Sequence, residues 1–301
     1  MIENTQLGQF MDAELSSQPA VWAQAIAQAK AEELLPADGA RVAVIGCGTS
    51  WFMAQSYAAA RETAGRGVTD AFAASEAFLG AARQYDAVIA ITRSGTTTEV
   101  LEVLRRLQGT VRTIALVGDI TSPIMTVADA VVELPYADEQ SVVQTRFATT
   151  ALAYLLTSVG MDLGAAVEDA KSAVAAPVEP ELIDAEQFTF LGTGWTVGLA
   201  HEAGLKMREA VQGWTESYPA KEYRHGPISI AAPNRVTWMF GGQPEGLDQE
   251  VAKTGALYIN AAVHPLAELA RVHRVTLERA RARGMNPDLP RNLSRSVILE
   301  D

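Results

Sequence analysis

The stretch AVIAITRSGTTTEV, residues 87–100, changes character within a few positions. Ala87–Ile91 is apolar without alternation, the pattern of a strand covered on both faces. Thr92, Ser94, Thr96, Thr97 and Thr98 then place five hydroxyls in seven positions. From Glu99 onward EVLEVLRRLQG carries apolar residues at helical spacing. Two physical readings fit a strand that hands over to a helix in this way. The hydroxyls can cap the helix N-terminus. They can also surround an anion, because a helix start offers unpaired N–H groups and partial positive charge, and Gly95 lets the backbone come close.

The same grammar recurs upstream in RVAVIGCGTS, residues 41–50, which leads into the helical stretch WFMAQSYAAARETAG. Working outward, the pattern predicts a helix over 9–34, a short strand near Val68–Ala71, a helix around Glu76–Ala82, and strands in VRTIALVG and DAVVELP. Strands alternating with helices imply a parallel sheet covered on both faces. The pattern restarts with FTFLGTG, the long helix WTVGLAHEAGLKMREAVQG, and strands in NRVTWMFGG and TGALYINAAV. The second strand–glycine–helix turn echoes the first, so the expected class is α/β with two similar halves. The expected boundaries are an N-terminal helical segment 1–36, a first domain 37–165, a helix end and linker 166–186, a second domain 187–285, and a C-terminal tail 286–301 closing on the site.

Composition narrows the function. The 301 residues are 48 % hydrophobic, enough for two ordinary cores. A net charge of −12 argues against a general nucleic-acid binder. The arginines between Arg271 and Arg295 are interspersed with acids and read as a solvated helix face plus a tail. The single cysteine, Cys47, rules out an internal disulfide and fits a reducing cytoplasm. The first residues carry neither a basic start nor an apolar signal core, and no apolar run reaches membrane-spanning length. The four histidines are scattered without metal-ligand spacing, so no metal or other cofactor is expected.

Both hydroxyl loops fall at strand carboxyl ends, where open α/β sheets bind ligands. Neither matches the dinucleotide fingerprint or the P-loop, so a simple phosphate ester is the expected ligand. Cys47 reads as a small residue in the turn rather than a nucleophile. In the second half, Glu202, Lys206 and Glu209 share one face of a helix at i, i+4 and i+7. A surface ladder of ion pairs would have that spacing, yet apolar or small residues occupy most neighbouring positions. That helix is expected to be largely buried, and its charges to have partners or work to do. Downstream, SYPAKEYRHGPIS sets His225 before Gly226-Pro227 on a non-helical turn, a candidate acid or base near neutral pH.

Taken together, CGTS, SGTTTE, the Glu202–Lys206–Glu209 helix, YRHGP and the tail PRNLSRSV resemble the double sugar-isomerase (SIS) domain family, and in particular the isomerase half of glutamine–fructose-6-phosphate aminotransferase. The resemblance runs from about residue 9 to the C-terminus. It implies a sugar-phosphate site in which Ser50, Thr92, Ser94 and Thr97 hold the phosphate, Cys47, Gly48, Thr49 and Gly95 line the turns, and Val142 makes a backbone contact. Arg93 stands where the family has glutamine, which implies a changed phosphate or ring contact. Glu209 matches the base that moves a proton between sugar carbons, accompanied by Glu202 and Lys206. His225 matches the ring-opening residue that reaches in from a neighbouring subunit, implying a homodimer. Arg295 replaces the family's Schiff-base lysine, and no glutaminase domain or N-terminal cysteine precedes the sugar domain, so glutamine-dependent amination is not expected. The implied activity is isomerisation or deamination of a hexose or aminohexose 6-phosphate in the cytoplasm, with no nucleic acid or membrane partner. The alternative is a non-catalytic sugar-phosphate sensor.

Overall fold

The computed structural model describes residues 7–79 and 83–299. Two compact units emerge. The described residues of Ala20–Glu139 and Arg146–Leu163, with the tail from Ser294, form a five-stranded unit; those up to Pro19, with Gln140–Thr145 and Gly164–Leu293, form a four-stranded unit.

In the five-stranded unit, β1 (Val42–Gly46), β2 (Thr69–Ala73), β3 (Ala87–Thr92), β4 (Arg112–Val117) and β5 (Ala130–Glu133) lie in the order β2-β1-β3-β4-β5. All pairings are parallel. The central strands β1 and β3 are buried along their whole length, which explains apolar runs without alternation. Three helices accompany them: α2 (Thr49–Thr63), α3 (Thr98–Leu107) and the single turn α4 (Ile124–Val127). Val100, Leu104 and Ile124 pack with Ile45, Val88, Ala90 and Val117 into one core. The helix α5 (Arg146–Ser158) lies against α2.

The four-stranded unit repeats the arrangement. Its strands β6 (Gln187–Gly192), β7 (Trp214–Pro219), β8 (Arg235–Phe240) and β9 (Leu257–Ile259) run parallel in the order β7-β6-β8-β9. Four helices accompany this sheet: α6 (Gly164–Ala175), α7 (Pro180–Asp184), α8 (Thr196–Val211) and the short α9 (Leu247–Ala252). The last helix, α10 (Pro265–Ala282), packs on α6, α7 and α8. The remaining helix, α1 (Gln9–Ala31), passes from this unit into the other. The stretch 166–186, expected as helix end and linker, thus carries most of α6 and all of α7.

The two strand-to-helix turns share a device. A Cβ on Gly46 would stand 2.6 Å from the backbone carbon of Ser50, and one on Gly192 would stand 2.3 Å from the carbonyl oxygen of Thr196. In both turns the strand end therefore presses on the first turn of its helix, and only glycine fits. Gly46→Ala should cost about 1–3 kcal/mol of stability, because the blocking atoms are backbone and cannot swing away. A thermal melt checks this: the midpoint should fall by several degrees, and an unchanged midpoint would contradict the close approach.

Three sequence expectations are corrected. The helix predicted around Glu76–Ala82 is replaced by a single 3-10 turn, Ala74–Glu76, after which 77–79 are non-helical; 80–82 lie outside the described residues. So short a segment makes too few bonds to offset helix nucleation. No strand was expected between the long helix and NRVTWMFGG, yet Trp214–Pro219 forms β7, a half-exposed edge strand that ends at Pro219. Proline is tolerated there because an edge strand need not donate every N–H. The basic stretch around Arg271–Arg281 is not a solvated face. Glu268, His273 and Arg279 are buried, and the Arg279 guanidinium donates to the carbonyls of Leu182, Ile183 and Ala185 while lying 4.6 Å from the Phe188 ring centre.

Candidate active site

The strand order 2-1-3-4-5 has its topological switch point between β1 and β3, the place at the strand carboxyl ends where open α/β sheets take their ligands. The two hydroxyl loops leave those two strands. Gly46–Ser50 passes from β1 into α2, and Thr92–Thr98 from β3 into α3. Gly48 caps α2 with φ 53°, and Thr97 caps α3 without a side-chain capping hydrogen bond. Capping therefore does not account for the hydroxyls. Within the second loop, the N–H of Gly95 donates to Thr92 Oγ1 at 3.2 Å and the N–H of Thr96 donates to Ser94 Oγ at 3.3 Å. Gly95 sits at φ 61°, and a Cβ there would come within 1.9 Å of Ser122 Oγ.

The C-terminal tail lies along this loop within the same unit. Ser94 and Thr96 donate their hydroxyls to Ser296 Oγ at 3.1 and 2.9 Å. The buried Arg93 donates to the carbonyl of Arg295 at 2.6 Å. Arg295 pairs with Asp138 through one guanidinium nitrogen, Nη2, which stands 2.7 Å from each carboxylate oxygen. Thr98 N–H reaches the carbonyl of Val297 at 3.3 Å, and Leu299 N–H reaches Thr98 Oγ1 at 3.0 Å. Ser296 and Asp138 carried no expected role in the sequence, and Thr96 only its place among the loop hydroxyls. Ser296 was visible only as part of the tail motif, and nothing local marks Asp138.

Cys47 is half-buried in the first turn. Burial, reinforced by the nearby Glu99 carboxylate, pushes its thiol up to about 11. At neutral pH the thiolate fraction is then about 10⁻⁴, too small for a resting nucleophile. Alkylation by iodoacetamide should be slow at pH 7 and rise about tenfold per pH unit through pH 9 without levelling. A plateau near pH 8 would contradict this.

In the four-stranded unit, α8 starts from the glycine turn after β6 and carries the three charged residues. Glu202 and Lys206 are fully buried. Lys206 Nζ stands 3.8 Å from Glu202 Oε1 and bonds Glu209 Oε2 directly. The Glu209 side chain is 20 % exposed, so it alone of the three meets solvent. It lines a cavity of about 290 Å³ with Leu205, Arg208, Gln212, Arg291, Asn292 and Leu293. Arg208 donates to Thr215 Oγ1 at 2.8 Å, and burial lowers its affinity for a proton against the pull of Glu209 and Glu202. This arrangement leaves one carboxylate facing a cavity with its charge fixed from behind by a buried ammonium. Such a group can accept and return a proton.

His225 ends an exposed 3-10 turn, Glu222–His225, and is followed by Gly226 at φ 131°. Val142 lies on the segment 140–145, where its N–H donates to the carbonyl of Asp288 at 3.2 Å. Among the described residues, no cluster of three or more His, Cys, Asp or Glu could hold a metal ion. No helix among them is long and apolar enough to cross a membrane.

Comparison with known proteins finds a family match over part of the chain. Residues 35–159 match the SIS domain. These residues hold all five strands and both hydroxyl loops of the first sheet. The chain is similar to the glutamine–fructose-6-phosphate aminotransferase [isomerizing] of Sulfurisphaera tokodaii, 26 % identical over 299 residues, covering 86 % of this chain and 50 % of that protein. The chain thus spans about half the length of the relatives it matches. In fold it is similar to glucosamine-6-phosphate deaminase from Thermotoga maritima, with a TM-score of 0.81 at 21 % identity over 97 % of this chain and 99 % of that one. It is also similar to tagatose-6-phosphate ketose/aldose isomerase from Escherichia coli, with a TM-score of 0.77 at 16 % identity over 96 % of both chains.

Proposed function

We propose that this SIS protein is a phosphosugar isomerase or deaminase acting on a hexose or aminohexose 6-phosphate. The observation that carries the reading is the carboxylate of Glu209, partly exposed at a cavity and held from behind by the buried Lys206. In this reading the four-stranded sheet, which repeats the order of the first sheet without its last strand, is a second SIS domain. Glu209 removes the proton from C2 of the open-chain sugar. The C2–H electrons form the C1=C2 bond of an enediol as the carbonyl oxygen gains a proton. Return of the proton to C1, with loss of the proton on the C2 oxygen, gives the ketose. With an amino group at C2 the same transfer gives an imine, which water hydrolyses to the ketose and ammonia. Glu202 and Lys206 hold the base, and His225, supplied by the partner copy of a homodimer, promotes ring opening.

The hydroxyl loops take the phosphate. Ser94 and Thr96 already donate to one oxygen, that of Ser296, and a phosphate oxygen can accept the same bonds. Ser50, Thr92 and Thr97 add donors around it, with Cys47, Gly48, Thr49 and Gly95 shaping the turns and Val142 beside the sugar. Arg93 stays with the tail, whose Arg295 cannot form an imine because a guanidinium keeps its proton. The protein works in the cytoplasm without a cofactor. Incubation with fructose, tagatose and glucosamine 6-phosphates, followed by NMR of the products and an ammonia assay, tests the proposal. Conversion of at least one is expected. Binding of these sugars without turnover of any would contradict it and favour a sensor.

A further inference from the structure

His273 sits in the middle of α10 with no solvent exposure. Its Nε2 stands 3.5 Å from Glu202 Oε1, the oxygen that faces Lys206 Nζ at 3.8 Å. Lys206 in turn bonds Glu209, whose carboxylate reaches the cavity. Four side chains from two packed helices therefore form one file from the interior of the four-stranded unit to its surface. The surrounding α10 positions, Leu269, Val272 and Leu277, are aliphatic and fully buried. Apolar residues would fill this place more cheaply, since buried charges are costly unless well paired. A lysine side chain is long and turns about four bonds, so its ammonium stays at one point only if its anchor is fixed. The helix fixes where Glu202 starts, but not where its carboxylate points.

We propose that His273 is a positioning residue for proton transfer. It holds the carboxylate of Glu202, Glu202 holds the ammonium of Lys206, and Lys206 holds the carboxylate of Glu209 towards the cavity. This rests on the reading of Glu209 as the base. His273 touches no reacting atom; it acts through the other three.

The test is hydrogen exchange from the sugar carbons of fructose 6-phosphate into deuterated water, measured for wild type, His273→Leu, His273→Met and His273→Gln. The apolar variants should lower kcat about tenfold or more with KM changed less than about twofold, as expected for a group that acts on the transition state and not on binding. Two are used so that one can fail to fold without loss of the test. Glutamine keeps an N–H donor of similar reach and should restore most of the rate. In a Glu209→Gln background, His273→Leu should cost less than about twofold more, because the file no longer ends on a base. Wild-type kcat per folded molecule in the apolar variants, equal loss with glutamine, or full additivity with Glu209→Gln would each overturn the inference and leave the functional reading standing. Absence of exchange in the wild type would overturn that reading, and the positioning role with it.

Discussion

Replacing Glu209 by glutamine should lower proton exchange on the bound sugar by about 10²–10⁴-fold, the usual contribution of a positioned general base. The substitution keeps the size of the side chain and its place on α8, so the cavity with Leu205, Arg208, Gln212 and Asn292 keeps its shape. It removes the carboxylate that Lys206 bonds and leaves Glu202 as the remaining counter-charge for the ammonium. Affinity for the sugar phosphate should change little, because the phosphate loops belong to other residues. Exchange per molecule of bound sugar, measured by NMR beside a binding isotherm, separates the two effects. Normal exchange in Glu209→Gln would move the base elsewhere. Glu202 is then the next carboxylate, although its full burial argues against contact with a substrate.

The second large effect is the phosphate itself. A saturating sugar 6-phosphate, at about a hundred times its Kd, should stabilise the protein by roughly 2.7 kcal/mol, seen as a rise in melting temperature. The same sugar without phosphate should give no shift. Each hydrogen bond from a hydroxyl to a charged oxygen contributes about 1.5–3 kcal/mol. Ser94→Ala and Thr97→Val together should therefore weaken binding by about 10²-fold or more. Thr97 caps α3 without a side-chain hydrogen bond, whereas Ser94 donates to the tail and accepts the N–H of Thr96, so the binding isotherm is read beside a melt of each variant without ligand. Equal stabilisation by sugars with and without phosphate would contradict the assignment of these loops.

Much of the architecture is legible in the amino-acid sequence. The strands β1 and β3 are continuous apolar runs buried along their length, β4, β6 and β8 are mostly apolar with one or two polar positions, and each is followed by a helix or a turn that its glycines and hydroxyls announce. The edge strand β7 was not legible, since Glu216, Ser217 and Pro219 lie in it and half-exposure removes the apolar signal. The burial of α10 was hidden for a different reason. Arg279 looks like a solvent residue in sequence, and only the carbonyls of Leu182, Ile183 and Ala185 around it make burial tolerable.

The candidate site divides along the same line. Residues that announce themselves by local pattern, the hydroxyl loops and the i, i+4, i+7 charges of α8, could be named as candidates from sequence. Residues whose importance comes from partners far along the chain were not. Ser296 meets Ser94 across 202 positions, and Arg295 meets Asp138 across 157. His273 belongs to the same class: nothing near it in sequence points to Glu202.

The central claim is that Glu209 moves a proton between adjacent carbons of a phosphorylated sugar, and solvent hydrogen exchange tests it most directly. The wild-type protein in deuterated water, given fructose 6-phosphate and glucosamine 6-phosphate, should place deuterium at C1 or C2 of at least one of them, and Glu209→Gln should not. Tight binding of both by the wild type with no deuterium incorporated and no product formed would contradict the account and leave a sugar-phosphate sensor in its place.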